Sequence, residues 1–237
     1  MSDRPTPPSR DRLRSYPARV RARARETDWR LTFGLVALST AAYLGQTLAA
    51  LRVGAPVRVV TARLFLARPL VAWPLSPFLH GGNPHFLANV LVLVPTGIEA
   101  QRHLTDRQYA GLFVVTAVVA ALLAAATLVP FADGPVASYG ISGFVFALAT
   151  YLLVHLRRAH PDPPFTARGV ALDRHPLELF GALLGVSVLL LVAADLGLAL
   201  RYGLRGVNGG HLGGAAVGAV AGALHRGPCA DADRQPE

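Results

Sequence analysis

The chain has 237 residues, of which 52% are hydrophobic and only 16% are charged. This composition is too apolar for an average soluble domain and indicates a membrane protein. The single cysteine, Cys229, excludes a disulfide framework and a cysteine-based metal cluster. The net charge of +9 could indicate nucleic-acid binding, but nine of the 23 arginines precede residue 31 and most others lie in short loops between apolar segments. We therefore expect no nucleic-acid partner.

Apolar segments in chain order predict an all-α membrane domain over residues 31–225. Residues 1–30, rich in Pro and Arg, are expected to form a disordered or interfacial cytoplasmic tail. Leu31–Leu51 carries no charge and is long enough to cross about 30 Å of hydrocarbon as a helix. Five further spans are predicted at about 84–100, 109–129, 141–156, 176–194 and 209–225. Residues 226–237 form a polar C-terminal tail.

The arginines predict how this bundle of six helices is oriented in the bilayer. An even number of spans places both termini on one side, which then carries 17 of the 23 arginines, while the loops on the other side carry 6. Basic residues are retained on the cytoplasmic side, so both termini are expected to be cytoplasmic. The loop at 52–83 would then lie outside, and its apolar part is expected in the interface or against the bundle.

Three polar clusters lie in the apolar spans, where polar side chains are costly and indicate function or pairing inside the bundle. The first, HGGNPHFLAN, contains His80, His85 and Asn89, and the second, GISG, contains Ser142. The third, NGGHLGGAAVGAV, contains His211, with Gly214 and Gly218 on the same helix face. Spans two, four and six all run inward from the outer surface. Each cluster therefore lies at a similar depth, a few ångströms to about 10 Å below that surface. This convergence predicts a single site.

Two alternatives arise from the same residues. Small residues let helices approach closely, so the pattern is also typical of helix packing. The small residues of spans four and six that could pack in this way are Gly143, Ala147, Gly214 and Gly218. A metal site formed by the three histidines of the clusters is conceivable, because imidazole is a common ligand. No carboxylate or thiolate accompanies them at that depth, so we expect no metal.

The chemistry of these residue types favours a nucleophilic site. A serine hydroxyl becomes a nucleophile when a base within hydrogen-bond reach takes its proton, and His211 is the base whose helix and depth suit Ser142. His85 and Asn89, together with the backbone N–H of Ser142, could donate hydrogen bonds to an oxyanion. The spans place no acidic residue to orient His211, so the expected arrangement is a Ser–His dyad.

The motifs HGGNPHFLAN, GISG and HLGGAAVG, in this order across six spans, resemble those of the rhomboid family of intramembrane serine proteases. The resemblance covers about residues 31–225. It implies cleavage of single-pass membrane proteins near the outer face of the bilayer, without a cofactor, in what we expect to be a prokaryotic plasma membrane. Ser142 would be the nucleophile, His211 the general base and acid, and His85 and Asn89 the oxyanion-hole donors. The fifth span would form a lateral gate for the substrate helix.

The resemblance also implies further positions and some departures. The residues expected near the site are His80, Gly140, Gly143 and Phe146. Phe146 stands where the family commonly has a tyrosine that stacks on the catalytic histidine, so stacking should survive without a hydroxyl contact. The Trp-Arg pair of some members has no clear counterpart, because Trp73 is followed by Pro74.

Span two of the family often ends in Gly with Glu four residues later, whereas Gly97 and Glu99 are two residues apart. Glu99 is therefore a doubtful structural anchor. Two other functions compete with proteolysis. The first is a catalytically silent rhomboid-like protein that binds membrane clients, although such proteins typically lack the serine or the histidine. The second is a small-molecule transporter, which would call for ionisable residues near the bilayer midplane or an inverted repeat.

Overall fold

The computed structural model describes residues 29–128, 138–159 and 208–225, together with positions 193, 197, 200 and 201. No strand occurs among these residues, in agreement with the predicted all-α class. The helices are α1 (Arg30–Val53), α2 (Val57–Ala67), α3 (Pro69–Leu75), a 3₁₀ turn (Ser76–Phe78), α4 (Asn83–Gln101), α5 (Asp106–Leu128), α6 (Ser142–Ala159) and α7 (Gly209–Leu224). The first four predicted spans and the sixth each coincide with a helix. The fifth predicted span, with the gate expected there, and both tails lie outside the described residues, apart from single positions.

Helices α1 and α5 are long and apolar enough to cross a membrane, by length and composition alone. Helices α6 and α7 are apolar but shorter. The outward faces of the two longer helices carry large exposed apolar side chains, including Leu44, Leu48, Val118 and Leu122. Apolar side chains on the outside of a bundle are what a hydrocarbon environment favours.

Helix α6 is the centre of the described bundle. Every residue from Gly143 to Leu152 is buried, because α4, α5 and α7 all pack around this helix. The largest of these side chains, Tyr151, is completely inaccessible and belongs to the main apolar core. A helix that is apolar on all sides is typical of such a central position in a bundle.

Helices α6 and α7 touch through their backbones. A Cβ atom added at Gly214 would lie 1.9 Å from the carbonyl oxygen of Gly143, and one added at Gly218 would lie 2.0 Å from that of Ala147. Only glycine permits so close an approach. Thr150 adds a hydrogen bond from its hydroxyl to the carbonyl oxygen of Ala215, at 2.9 Å. The N-terminal halves of α6 and α7 are therefore held against each other.

The segment between α1 and α4 packs on the bundle and is joined to α1 by Gln46. The side-chain amide of Gln46 donates to the carbonyl oxygen of His80 at 3.1 Å, and its oxygen accepts from the backbone N–H of His80 at 3.0 Å. The same amide donates to the Thr61 hydroxyl of α2. Leu66 and Leu70, in contrast, point away from the protein, as a location at the membrane interface would favour.

At the end of α4, Glu99 contacts its own helical turn and Gln101 contacts α1. The Glu99 carboxylate is buried and accepts a hydrogen bond from Arg102 Nη1 at 3.0 Å, so Glu99 is an anchor within its own turn. The residue four positions after Gly97 is Gln101, whose side-chain oxygen accepts from the backbone N–H of Thr32 at 3.0 Å and from the Thr32 hydroxyl. An amide therefore joins α4 to α1 at the position where the family pattern has a glutamate.

Candidate active site

Ser142 is the first residue of α6 and is positioned by the loop before it. The backbone N–H of Gly140 donates to the carbonyl oxygen of Ser76 at 2.9 Å, which ties this loop to the 3₁₀ turn. Gly140 has a φ of 115°, a conformation that residues with a Cβ rarely adopt. The glycine before the serine therefore has a backbone role, and it leaves the Ser142 side chain half-buried at the helix start.

His211 lies in the first turn of α7 and meets Ser142 across the interface between the two helices. The distance from Ser142 Oγ to His211 Nε2 is 3.1 Å, which is within hydrogen-bond range. For Nε2 to accept the serine proton, the neutral imidazole must carry its proton on Nδ1. The ring stacks on Phe146, with 4.2 Å between ring centroids and an angle of 10° between planes. The expected stacking is thus present without a tyrosine hydroxyl.

His85 and Asn89 approach the site from α4, on the side of Gly140. A Cβ atom added at Gly140 would lie 2.9 Å from His85 Nε2 and 3.4 Å from Asn89 Nδ2. Asn89 Nδ2 is buried and has no hydrogen-bond partner within the described part of the chain. A buried amide donor without a partner is costly, and it is suited to a charge that develops only during a reaction.

His80 supports this side of the site without reaching Ser142. It is completely buried, its Nδ1 lies 3.0 Å from the carbonyl oxygen of Phe78, and its ring centroid is 5.3 Å from that of His85. Burial, and secondarily the neighbouring His85, lowers the pKa of His80 to about 4. The ring is therefore neutral at pH 7, and its Nδ1 carries the proton that the Phe78 carbonyl accepts.

A cavity of about 360 Å³ opens beside the serine and the histidine. Its wall includes His85 from α4 and Phe113 from α5, together with Ser142 and His211. The described residues contain no group of three or more His, Cys, Asp or Glu side chains that could hold a metal ion, so the histidines of the sequence clusters do not form such a group. The cavity thus lies next to a hydrogen-bonded Ser–His pair.

The fold and the site together define a class: an integral membrane protein of apolar helices in which a serine and a histidine on adjacent helices meet beside a cavity. A family model described as the rhomboid domain matches residues 68–227, about two-thirds of the chain. The chain belongs to the rhomboid family, whose members are generally serine intramembrane proteases that act on transmembrane proteins. No curated protein matches the chain.

The structure brings together residues that the sequence motifs singled out and adds one to which the sequence had assigned no role. His211 contacts both Ser142 and Phe146, and Gly140, two residues before the serine, lies against His85 and Asn89. The additional residue is Asn208, whose side chain lies 3.1 Å from His211 Nε2. An asparagine immediately before an apolar helix is a typical N-cap, so the pattern Asn-Gly-Gly-His could have predicted it.

Proposed function

We propose that this protein is an intramembrane serine endopeptidase that uses Ser142 and His211 as a catalytic dyad. The observation that carries the proposal is the 3.1 Å contact between Ser142 Oγ and His211 Nε2. It joins residues that are 69 positions apart and lie on different helices. Close packing of α6 and α7 accounts for the proximity of the two helices, but it does not require polar side chains at this depth. Polar side chains are costly in a membrane-spanning segment, so a polar pair beside a cavity indicates a function.

The reaction follows from the geometry of the pair. Ser142 Oγ attacks the scissile carbonyl carbon as His211 Nε2 takes the hydroxyl proton. The tetrahedral intermediate collapses when the C–N bond breaks, and His211 gives the proton to the departing amine. Water then attacks the acyl-enzyme as His211 takes a proton from it. The bond between the acyl carbon and Ser142 Oγ breaks, His211 returns the proton to Oγ, and the second fragment leaves with a free carboxyl group. Phe146 keeps the plane of the imidazole fixed throughout these transfers.

The oxyanion would be stabilised from the α4 side. Asn89 Nδ2 lacks a partner in the described residues, and His85 lies next to it against Gly140. With the backbone N–H of Ser142, these groups would surround the oxygen that becomes charged in the transition state. Loss of one such donor typically lowers kcat by about 100- to 1,000-fold. We therefore assign His85 and Asn89 as oxyanion-hole donors.

The substrate would be a transmembrane protein, in keeping with the family. The dyad lies at the ends of α6 and α7 that the arginine distribution predicts to be near the outer face, where water would be available for hydrolysis. We infer cleavage in or near a transmembrane helix of the substrate, close to that face. The lipid bilayer is thus both the solvent of the enzyme and the source of its substrates.

Cleavage of a single-pass model substrate by the purified protein in detergent tests this proposal. Ser142→Ala and His211→Ala should each abolish cleavage while leaving the unfolding midpoint close to that of the wild type. Ser39→Ala is the matched control, because Ser39 is a buried serine on α1 that does not line the cavity, and cleavage should persist. Cleavage by both dyad variants would refute the mechanism.

A serine-reactive fluorophosphonate probe separates the proposal from the client-binding alternative. An active dyad should label at Ser142, and labelling should fall strongly in His211→Ala because the serine loses its base. A protein that only binds membrane clients would retain a substrate helix in a pull-down without cutting it. It would also show no labelling in the wild type.

A further inference from the structure

The orientation of the His211 ring decides whether the proposed dyad can work. Stacking on Phe146 fixes the plane of this ring. It does not fix rotation of the ring within that plane, and such a rotation would carry Nε2 away from Ser142 Oγ. Positioning of the base within a few tenths of an ångström matters, since a misplacement of about 1 Å can cost about 100-fold in rate.

Asn208 contacts both the backbone and the ring of His211. Its side-chain oxygen accepts from the backbone N–H groups of Gly210 and His211, at 3.2 and 3.4 Å, and so caps α7. Its amide nitrogen lies 3.1 Å from His211 Nε2. A single planar amide therefore joins the start of the helix to the catalytic nitrogen of the side chain that the helix carries.

We propose that Asn208 is a positioning residue of the Ser142–His211 dyad, with its oxygen capping α7 and its amide N–H orienting His211 Nε2. This inference rests on the proposed function. Asn208 lines the cavity and is exposed, so its side chain can adjust as the reaction proceeds. It acts from the Nε2 side of the ring, whereas the acid of a catalytic triad acts on Nδ1.

The contact has a chemical consequence for the base. The single lone pair of neutral Nε2 faces two donors at 3.1 Å, the Ser142 hydroxyl and the Asn208 amide. Both contacts favour the neutral imidazole with its proton on Nδ1, which is the form that can accept the serine proton. Once Nε2 is protonated, its N–H faces the N–H of Asn208, and two donors in contact repel each other. This repulsion favours transfer of the proton to the leaving amine.

Three substitutions separate capping from orientation. Asn208→Ser retains a good N-cap but is too short to donate to the ring; Asn208→Asp retains cap and length but has no N–H; Asn208→Ala loses both. We expect Asn208→Ser to keep the wild-type unfolding midpoint while kcat falls about tenfold and KM stays unchanged. Asn208→Ala should lose both kcat and stability.

Asn208→Asp gives the most specific readout. Its carboxylate would stabilise protonated Nε2, so the acidic limb of the pH profile of kcat/KM should move to higher pH. His85 on α4 also interacts electrostatically with His211, and it is unchanged in all three variants. If Asn208→Ser matches the wild type in kcat, and the Asn208→Asp profile overlays that of the wild type, Asn208 is only a helix cap and the inference is overturned.

A measurement that does not depend on cleavage keeps this inference distinct from the proposed function. In protein labelled with ¹⁵N-histidine, Asn208→Ser should shift the Nε2 resonance of His211, because that nitrogen loses a hydrogen bond. An unchanged resonance would overturn the positioning role even in an inactive protein. Absence of cleavage and of serine labelling in the wild type, with the resonance shift present, would instead refute proteolysis alone.

Discussion

Gly214→Ala should separate the two helices that carry the dyad. The added methyl group would lie 1.9 Å from the carbonyl oxygen of Gly143 and 2.7 Å from its carbonyl carbon, whereas ordinary contacts begin at about 3.4 Å. Both obstructing atoms belong to the backbone of α6, so no side-chain rotation can relieve the overlap. Gly143 directly follows Ser142, and the strain therefore arises next to the nucleophile.

The size of the effect follows from these distances. Relief of the overlap needs a displacement of about 1.5 Å between α6 and α7 at this level. Half of that displacement along the line of the Ser142–His211 hydrogen bond would take its 3.1 Å distance out of hydrogen-bond range. We expect kcat to fall by at least about 100-fold, as for loss of alignment with the general base. Overpacking should also lower the free energy of unfolding by about 1–3 kcal/mol.

Cleavage of the model substrate, fluorophosphonate labelling and the unfolding midpoint should be measured on the same preparations. Gly111→Ala on α5 is the matched control, because a Cβ there would meet nothing within 4 Å. That substitution should leave activity unchanged and raise helix stability by up to about 1 kcal/mol. Wild-type cleavage and labelling in Gly214→Ala would refute the claim that backbone contact between α6 and α7 sets the geometry of the dyad.

Two further outcomes are expected. Gly140→Ala should reduce kcat by about 100-fold or more. The φ of 115° disfavours a residue with a Cβ, and that Cβ would lie 2.7 Å from the His85 ring. Normal cleavage by this variant would argue against the placement of the oxyanion hole. The pKa of buried His80 is about 4, compared with 6.5 in an unfolded chain, so at pH 5 the unfolded chain binds a proton at this residue that the folded protein does not. The free energy of unfolding should therefore fall by about 2 kcal/mol between pH 7.5 and pH 5. Unfolding midpoints should show a flatter pH dependence in His80→Gln, and an equal slope would contradict this assignment.

The elements that carry the site were predictable because hydropathy and polarity gave independent information. Apolar segments indicated the helices, and the positions of Ser142 and His211 near the starts of inward-running spans predicted that the two side chains lie at one depth. The 3.1 Å contact itself could not be predicted, since hydropathy fixes depth but not rotation about the helix axis. The rotation is set by where glycine lets the α6 and α7 backbones touch.

Three side-chain amides make contacts that neither the motifs nor the hydropathy pattern had been used to predict. Gln46 joins the outer segment to α1, Gln101 joins α4 to α1, and Asn208 contacts His211. A neutral amide produces no charge pattern and disturbs hydropathy little, so it does not stand out in an apolar chain. In a low-dielectric interior, however, an amide that both donates and accepts is an effective cross-link, because leaving either end unpaired is costly.

Helix packing and nucleophilic chemistry are therefore not competing interpretations of GISG. Gly140 gives the backbone its positive-φ turn before Ser142, and Gly143 provides the carbonyl surface on which Gly214 rests. The same contact that lets α6 and α7 approach sets the separation between Ser142 and His211, so any loosening of the packing must lengthen the proposed proton-transfer path. Close backbone packing thus sets the distance between the two side chains, while the Phe146 ring and the Asn208 amide set the orientation of the imidazole.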